Sequence, residues 1–123
     1  MSAGVHNFTI EKGSTFDPAI QLSTGGFVAD GGTAINLTGF SAQMYIRRNV
    51  RAEDTLLELT TTNGRIDLFD PTDGWLRLLL TDEETAALTF KSGVYDLEIE
   101  SAGGERKRRL QGKITVSPEV TYD

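Results

Sequence analysis

The chain contains no cysteine and one histidine among its 123 residues. Without cysteine it has no disulfide framework, no thiol nucleophile and no thiolate ligand for a metal. The single histidine, His6, stands near the N-terminus, where an exposed imidazole without a catalytic role is the expected state. A serine nucleophile needs a histidine as its base, and His6 alone would have to serve for any serine of the chain. The sequence therefore predicts a protein that is not an enzyme and that holds no cofactor.

Basic side chains are also scarce, because 12 lysines and arginines stand against 18 acidic residues and give a net charge of −6. Nucleic-acid-binding domains present a basic face on a basic domain, so this balance argues against DNA or RNA as a partner. No apolar run approaches the roughly 18 residues of a membrane span. The first residues lack the apolar core of a signal peptide. We therefore expect neither a nucleic acid nor a membrane as a partner.

The carboxylates supply one candidate for a metal site. Asp67, Asp70 and Asp73 follow one another at a spacing of three residues, in a segment that Pro71 and Gly74 mark as a turn. A calcium loop of the EF-hand kind requires oxygen ligands at alternate positions and a glutamate at the twelfth position. This segment has neither feature. The sequence therefore predicts no metal site here.

A second candidate is a pair of glutamates that could act together as an acid and a base. Glu98 and Glu100 share one face of a predicted strand, and paired carboxylates can hydrolyse glycosides. Arg106 and Arg108 follow after a predicted turn and can oppose the two glutamates across a hairpin. Cross-strand charge pairing accounts for both runs at once, so we interpret the pair as a solvated strand face.

Residues 105–109 form the one basic cluster of the chain, Glu-Arg-Lys-Arg-Arg. Side chains on a strand alternate between its two faces, so Arg106 and Arg108 are expected to diverge from Lys107 and Arg109. The overall charge is acidic and few aromatic residues lie nearby. An acidic surface on a protein partner is therefore the expected target of these arginines.

Glycine is abundant, with 13 residues, and apolar residues mostly stand two positions apart. Alternation of this kind is typical of half-buried strands. Asn63-Gly64 and the turn at residues 70–74 join three successive runs, which predicts an antiparallel meander. Thr81 and Glu84 form a capping box that predicts a short helix over residues 82–89.

About eight short strands between frequent turns predict one all-β domain over residues 1–123, an antiparallel β-sandwich. Residues of one alternating phase are predicted to form its core: Phe16, Ile20, Leu37, Met44, Ile46, Leu57, Leu59, Leu76, Leu78, Leu97, Ile99, Ile114 and Val116.

The segment of residues 23–33 is rich in glycine and carries Phe27 and Val28. Long loops are often binding loops, and a glycine-rich segment with two apolar side chains could order on contact with a partner. Residues 1–5 and 119–123 are expected to be flexible or docking tails. We therefore predict partner docking through Phe27 and Val28, together with the arginines at positions 106, 108 and 109.

Four passages, spread over nearly the whole chain, resemble the immunoglobulin-like domains of tailed-phage virions, above all the N-terminal domain family of the phage baseplate upper protein. They are residues 8–16, residues 35–47 with a Leu-Thr-Gly corner, residues 74–81, and residues 93–100 followed by 112–116. These motifs build a fold and none is an active site. The resemblance implies an immunoglobulin-like antiparallel β-sandwich with one short helix near residues 82–89.

The same resemblance implies a role. It predicts a non-enzymatic structural protein of a bacteriophage virion, at the tail, baseplate, neck or fibre attachment, made in the host cytoplasm. Its expected partners are other phage virion proteins and further copies of itself in a symmetric assembly. The alternative is a capsid decoration protein or an outward-facing module that binds a carbohydrate or a receptor.

Overall fold

The structure is a computed structural model, and it describes residues 4–23, 26–27 and 34–118. Within these ranges the chain forms ten strands, one α-helix and a 3-10 helix at Pro71–Asp73. In chain order the elements are β1 (Gly4–Val5), β2 (Phe8–Glu11), β3 (Ala19–Ser23), β4 (Gly26–Phe27), β5 (Ser41–Arg47), β6 (Leu57–Thr60), β7 (Ile66–Asp70), β8 (Trp75–Leu78), α1 (Asp82–Ala86), β9 (Ser92–Glu100) and β10 (Arg106–Ser117).

The strands form two sheets. The larger sheet has six strands in the order β1–β10–β9–β5–β6, with β2 also paired to β10. The smaller sheet has four strands in the order β4–β3–β8–β7. The larger sheet is mixed and curled into half of a barrel. The prediction of a mostly β chain with one short helix is thus confirmed.

The N-terminal strands correct the expectation of a purely antiparallel arrangement, because β1 and β2 both run parallel to β10. Gly4 lies opposite Leu110 and Phe8 lies opposite Ile114, so both strands keep one register. Between them the chain passes close to Gly112, where a Cβ atom would overlap the carbonyl oxygen of His6. Alternation in a sequence is the same for parallel and antiparallel strands, and it therefore did not predict this direction.

The expected hairpin at Asn63-Gly64 is wrong, and with it the meander, because β6 pairs with β5 in the larger sheet while β7 pairs with β8 in the smaller one. A type I′ turn needs positive φ at two residues, and only Gly64 has it, at 81°. The side chain of Asn63 holds the crossing instead. Its Oδ1 accepts hydrogen bonds from the backbone N–H groups of Thr60 and Arg65, each at 3.0 Å.

The capping box at the start of α1 is confirmed. The hydroxyl of Thr81 accepts a hydrogen bond from the backbone N–H of Glu84 at 3.1 Å, and the Glu84 carboxylate accepts one from the N–H of Thr81 at 2.8 Å. The same carboxylate forms an ion pair with Arg65 at 2.7 Å. The pair ties the helix to the segment that crosses from the larger sheet to the smaller one.

The helix is shorter than predicted, since it ends at Ala86 rather than near residue 89. The backbone N–H of Leu88 bonds to the carbonyl of Thr85, three residues back, which tightens and closes the last turn. Leu88 then packs partly buried against the core. Among the described residues, no helix combines the length and the apolar character that crossing a lipid bilayer requires.

The core lies between the two sheets and is filled by the predicted alternating phase. Each predicted core residue is buried except Leu57, which is half-buried at the start of the edge strand β6. The core also includes buried side chains outside that prediction: Phe8, Ile10, Leu22, Ala42, Ile66, Leu80, Tyr95 and Leu110. Burial of aliphatic side chains on both inner faces supplies most of the drive for the two sheets to pack.

Candidate functional site

The curled larger sheet has a groove of about 930 Å³ on the face turned away from the core. The side chains that line it alternate along β5, β9 and β10 with the buried core residues. We call this concavity the outer groove and define it by its main lining residues: Val5, Tyr45, Arg47, Val50, Asp96, Glu98, Arg106, Arg108, Gln111 and Lys113.

A β-bulge in β10 decides which basic residues reach the outer groove. Arg108 lies opposite Glu98, but Leu110 lies opposite Leu97, so Arg109 is an extra residue in the strand. A bulge of this kind shifts the alternation by one position. Arg106 and Arg108 therefore share the outer face with the polar residues that follow Leu110, and both line the groove.

The predicted pairing of Glu98 and Glu100 with the two arginines is confirmed in register. Arg106 contacts Glu100 at 2.8 Å. The hydrogen bond and the charge of Glu100 raise the pKa of the Arg106 guanidinium above its usual value. Arg108 forms its ion pair with Asp96, at 3.4 Å, and not with the residue opposite it. These side chains are largely open to solvent, so the pairs are screened and hold the face only weakly.

The outer groove carries an excess of positive charge. Of the described residues that line it, four are basic and two are acidic. Arg47 and Lys113 belong to none of the ion pairs found within the described residues. The Nε atom of Arg47 is buried without a hydrogen-bond partner in that part of the chain. Its guanidinium carbon lies 6.0 Å from the centre of the Tyr45 ring.

Two exposed valines also line the groove. Val5 is 67% exposed and Val50 is 82% exposed, and they are two of the three large apolar side chains that the described residues expose. Neither valine is predicted from the sequence as a site residue, and neither is Arg47 or Lys113. Val50 stands in a turn between Asn49 and Arg51, and an apolar residue between polar ones is the signal that the sequence offers for it.

Tyr95 forms part of the floor near the N-terminal strands. Its hydroxyl donates a hydrogen bond to the carbonyl oxygen of His6 at 2.6 Å, and its side chain is buried. Burial raises the pKa of the Tyr95 hydroxyl, and the charge of Asp96 raises it further. A phenol that stays protonated and donates to a backbone carbonyl anchors the N-terminal segment against β9. Its role is structural.

The structure brings only part of the predicted docking set together. Arg106 and Arg108 line the outer groove, whereas Arg109 is half-buried in the bulge and is not part of the lining. Phe27 lies in β4, which pairs with β3 in the smaller sheet. Val28 lies outside the described residues. The strand of Phe27 and the arginines therefore belong to different sheets.

The carboxylates considered for a metal lie in a segment of ordinary turn structure. Asp70 precedes the 3-10 helix and Asp73 is its last residue, and the Oδ1 atom of Asp70 accepts a hydrogen bond from the Thr72 hydroxyl at 3.3 Å. Across the described ranges, no group of three or more histidine, cysteine, aspartate or glutamate side chains is placed to hold a metal ion. The ring of His6 packs edge-on against that of Phe8, with centres 4.5 Å apart.

The outer face of the smaller sheet carries an aromatic cluster. The Phe69 ring is 44% exposed, and the guanidinium carbon of Arg77 lies 4.8 Å from its centre. The ring of Trp75 lies 6.2 Å from that of Phe69. Trp75 is half-buried, as is Tyr45 on the larger sheet.

No family model matches the chain, and no curated protein matches it either.

Proposed function

We propose that this chain is a non-enzymatic structural subunit of a bacteriophage virion, which docks on other virion proteins. The observation that carries the proposal is the order of strands in the two sheets, combined with the positions of the four passages that resemble tailed-phage immunoglobulin-like domains.

The strand order supports an immunoglobulin-like assignment. We compare the order β10–β9–β5–β6 in the larger sheet with strands G, F, C and C′ of a variable-type domain, and the order β3–β8–β7 with strands B, E and D. The N-terminal strands pair with the last strand, and the short β4 lies where strand A flanks strand B. Without cysteine the chain has no disulfide between the sheets.

The four passages fall on elements of both sheets in the expected order. Residues 8–16 include β2, residues 35–47 end with β5, residues 74–81 contain β8 and lead into α1, and residues 93–100 and 112–116 lie in β9 and β10. A resemblance that follows the strands in sequence is more specific than any single passage. It supports a common architecture, and the role is proposed from that architecture.

The chemistry of the surface favours docking over catalysis. The outer groove combines charged side chains in weak ion pairs with two exposed valines, a combination typical of an interface that forms between folded proteins. Such a surface keeps the free chain from aggregating and still recognises a neighbour in an assembly.

The proposal is tested on particles purified by density gradient from a lysate of cells that carry the gene. We expect mass spectrometry to find this chain in the particle band at a fixed ratio to the major structural proteins. Antibodies against the chain should label one defined part of the particle in negative-stain images. A chain that stays in the soluble fraction, and does not band with particles, would contradict the proposal.

A second candidate is an outward-facing module that binds a carbohydrate or a receptor. The exposed ring of Phe69 beside Trp75 favours it, because aromatic faces on a surface contact ligands that have both apolar and polar groups. Labelling at the outer end of a tail or on the capsid exterior, together with inhibition of adsorption by the purified chain, would favour this role over internal docking.

A further inference from the structure

We propose that the outer groove binds an extended, acidic segment of a neighbouring protein. The inference deepens the proposed function and rests on it for the identity of that neighbour as a virion protein. The side chains that line the groove indicate the composition of this segment, in which carboxylate side chains alternate with apolar ones.

The charge of the groove differs from that of the chain as a whole. The net charge of the chain is −6, yet the described residues that line the groove include four basic and two acidic side chains. Because the remainder of the protein is strongly acidic, this local excess of positive charge is the surface that attracts an acidic partner. Opposite charges across an interface set the register and the rate of docking.

The groove keeps unused hydrogen-bond donors for such a partner. Arg106 donates from its Nε and Nη2 atoms to one oxygen of Glu100, at 3.3 and 2.8 Å, which leaves its Nη1 donors for a partner. Arg47 and Lys113 contribute whole cationic groups that form no ion pair within the described ranges. An arginine fork binds a carboxylate in a bidentate manner, which gives both strength and geometric specificity.

The apolar residues define the other half of the segment. Val5 and Val50 expose most of their surface, and Tyr45, whose ring centre lies 6.0 Å from the guanidinium carbon of Arg47, also lines the groove. An extended chain presents its side chains alternately to two sides. A segment that alternates glutamate or aspartate with small apolar residues can therefore contact the arginines with one set and the valines with the other.

The two carboxylates of the groove argue against a nucleic acid. Asp96 and Glu98 lie beside the cations, and they would repel a phosphate backbone that tracks along the groove. Tyr45 is one aromatic ring, whereas proteins that bind single-stranded nucleic acid stack successive bases on several. A carboxylate-bearing segment can place its charges individually, away from Glu98, and leave the Arg108–Asp96 ion pair in place.

The test uses the full chain and a short fluorescein-labelled peptide in which glutamate alternates with valine. A matched peptide carries lysine in place of each glutamate. Fluorescence polarisation at low salt is expected to show binding of the glutamate peptide alone. The double variant Arg106→Glu and Arg108→Glu should weaken that binding by about tenfold or more, since a loss of 1.4 kcal/mol corresponds to tenfold. Raising the ionic strength should weaken it as well.

A matched control separates local chemistry from net charge. The double variant Lys12→Glu and Lys91→Glu changes the net charge by the same amount, but its two positions lie outside the groove. It should bind the glutamate peptide nearly as the wild type does. Val50→Ser tests the apolar half without adding charge and should weaken binding without affecting the fold, since this side chain is 82% exposed. Circular dichroism and thermal melting check the fold of every variant.

Several results would overturn the inference. Equal binding of both peptides, or unchanged binding by the Arg106 and Arg108 variant, would show that the groove does not select acidic segments. Displacement of the bound peptide by an oligonucleotide at matched charge would assign the groove to nucleic acid. Self-association of the chain that the arginine variant abolishes, with no peptide binding, would assign it to a second copy.

The two proposals fail in different experiments. A chain that binds the glutamate peptide through the groove but is absent from purified particles would keep the groove chemistry and contradict the virion role. A chain that is present in particles but does not bind the peptide would keep the role and contradict the inference.

Discussion

The outer faces of the two sheets differ in the side chains that they carry and in the contacts between those side chains. On the larger sheet, ion pairs such as Arg106–Glu100 at 2.8 Å lie beside cations that remain unpaired within the described residues. On the smaller sheet, Arg77 stacks 4.8 Å from the centre of the Phe69 ring, with Trp75 next to it. One face therefore holds spare charge, and the other holds a cluster whose members contact one another.

This difference distinguishes the side chains that stabilise the fold from those that are available to bind a partner. The inner faces of both sheets have the same aliphatic character and the same alternation, so the core gives no hint of which outer face binds. An outer face with unpaired charges gains binding free energy from a partner of opposite charge. An aromatic cluster whose members already contact one another gains less. The groove is accordingly the stronger candidate for docking.

The largest expected effect tests whether the inner faces are equivalent. Met44 on the larger sheet and Leu78 on the smaller one are both fully buried. Replacing either by alanine should lower the free energy of unfolding by about 2–5 kcal/mol, because each change removes buried methylene groups and leaves a cavity. Urea denaturation at constant m-value measures it. Melting of both variants at the wild-type temperature would contradict the shared core.

The next largest effect is expected from a substitution that disturbs the pairing of the N-terminal strands with β10. In Gly112→Ala the new Cβ atom would overlap the carbonyl oxygen of His6, so the N-terminal strands must shift. Overpacking of this kind should cost about 1–3 kcal/mol. Relative to the wild type, amide hydrogen exchange should become faster in β1 and β2 and change less in β5 and β9.

Gly103→Ala is the matched control for this change. Gly103 lies in the turn between β9 and β10, where an added Cβ atom would make an ordinary contact of 3.8 Å with the Ser101 hydroxyl. This variant should be nearly as stable as the wild type. Equal stability of the two alanine variants would show that the N-terminal segment does not depend on the close approach at Gly112.

A smaller effect compares the two outer faces directly. Phe69→Ala should cost about 1 kcal/mol, because it removes the stacking with Arg77 and part of the buried ring. Glu100→Gln removes an exposed ion pair on the other face and should cost less. Added salt should abolish the effect of Glu100→Gln and leave that of Phe69→Ala. The opposite salt response would reverse our description of the two faces.

Hydrophobic alternation predicts the inner faces well and the outer groove poorly, and β10 shows why. Strict alternation backwards from Leu110 would place Arg106 and Arg108 on the core side. The extra residue Arg109 moves them to the outer face, opposite Glu100 and Glu98. A bulge depends on pairing with a neighbouring strand, and no local pattern of hydrophobic residues reports it.

The crossing between the sheets is a second place where a local sequence pattern does not determine which strands pair. Asn63-Gly64 has the residues of a two-residue hairpin, yet the bonds of the Asn63 side chain to Thr60 and Arg65 stabilise a connection to the other sheet. Local turn chemistry can thus support either a hairpin or a crossing, and packing against the rest of the chain decides between them. The capping box of α1 needs only local contacts, and it was predicted correctly.

The smallest effect concerns the link between this crossing and α1. The backbone hydrogen bond from Thr81, followed by the hydrogen bond from Arg65, lowers the pKa of Glu84 below 4.5. A carboxylate with a lowered pKa stabilises the folded state at pH values above its unfolded pKa, and this contribution is lost as the pH falls through the folded pKa. Glu84→Gln keeps a side chain that can complete the capping box but removes the charge.

We therefore expect Glu84→Gln to lower the free energy of unfolding at neutral pH by about 0.2–1 kcal/mol, since its ion pair with Arg65 is partly open to solvent. The difference from the wild type should shrink as the pH falls below 4.5 and vanish once Glu84 is protonated in the folded state. Denaturation between neutral and acid pH measures it, with Glu83→Gln as the control from the same turn. A difference that stays constant with pH would show that the Arg65–Glu84 pair does not stabilise the connection between the sheets.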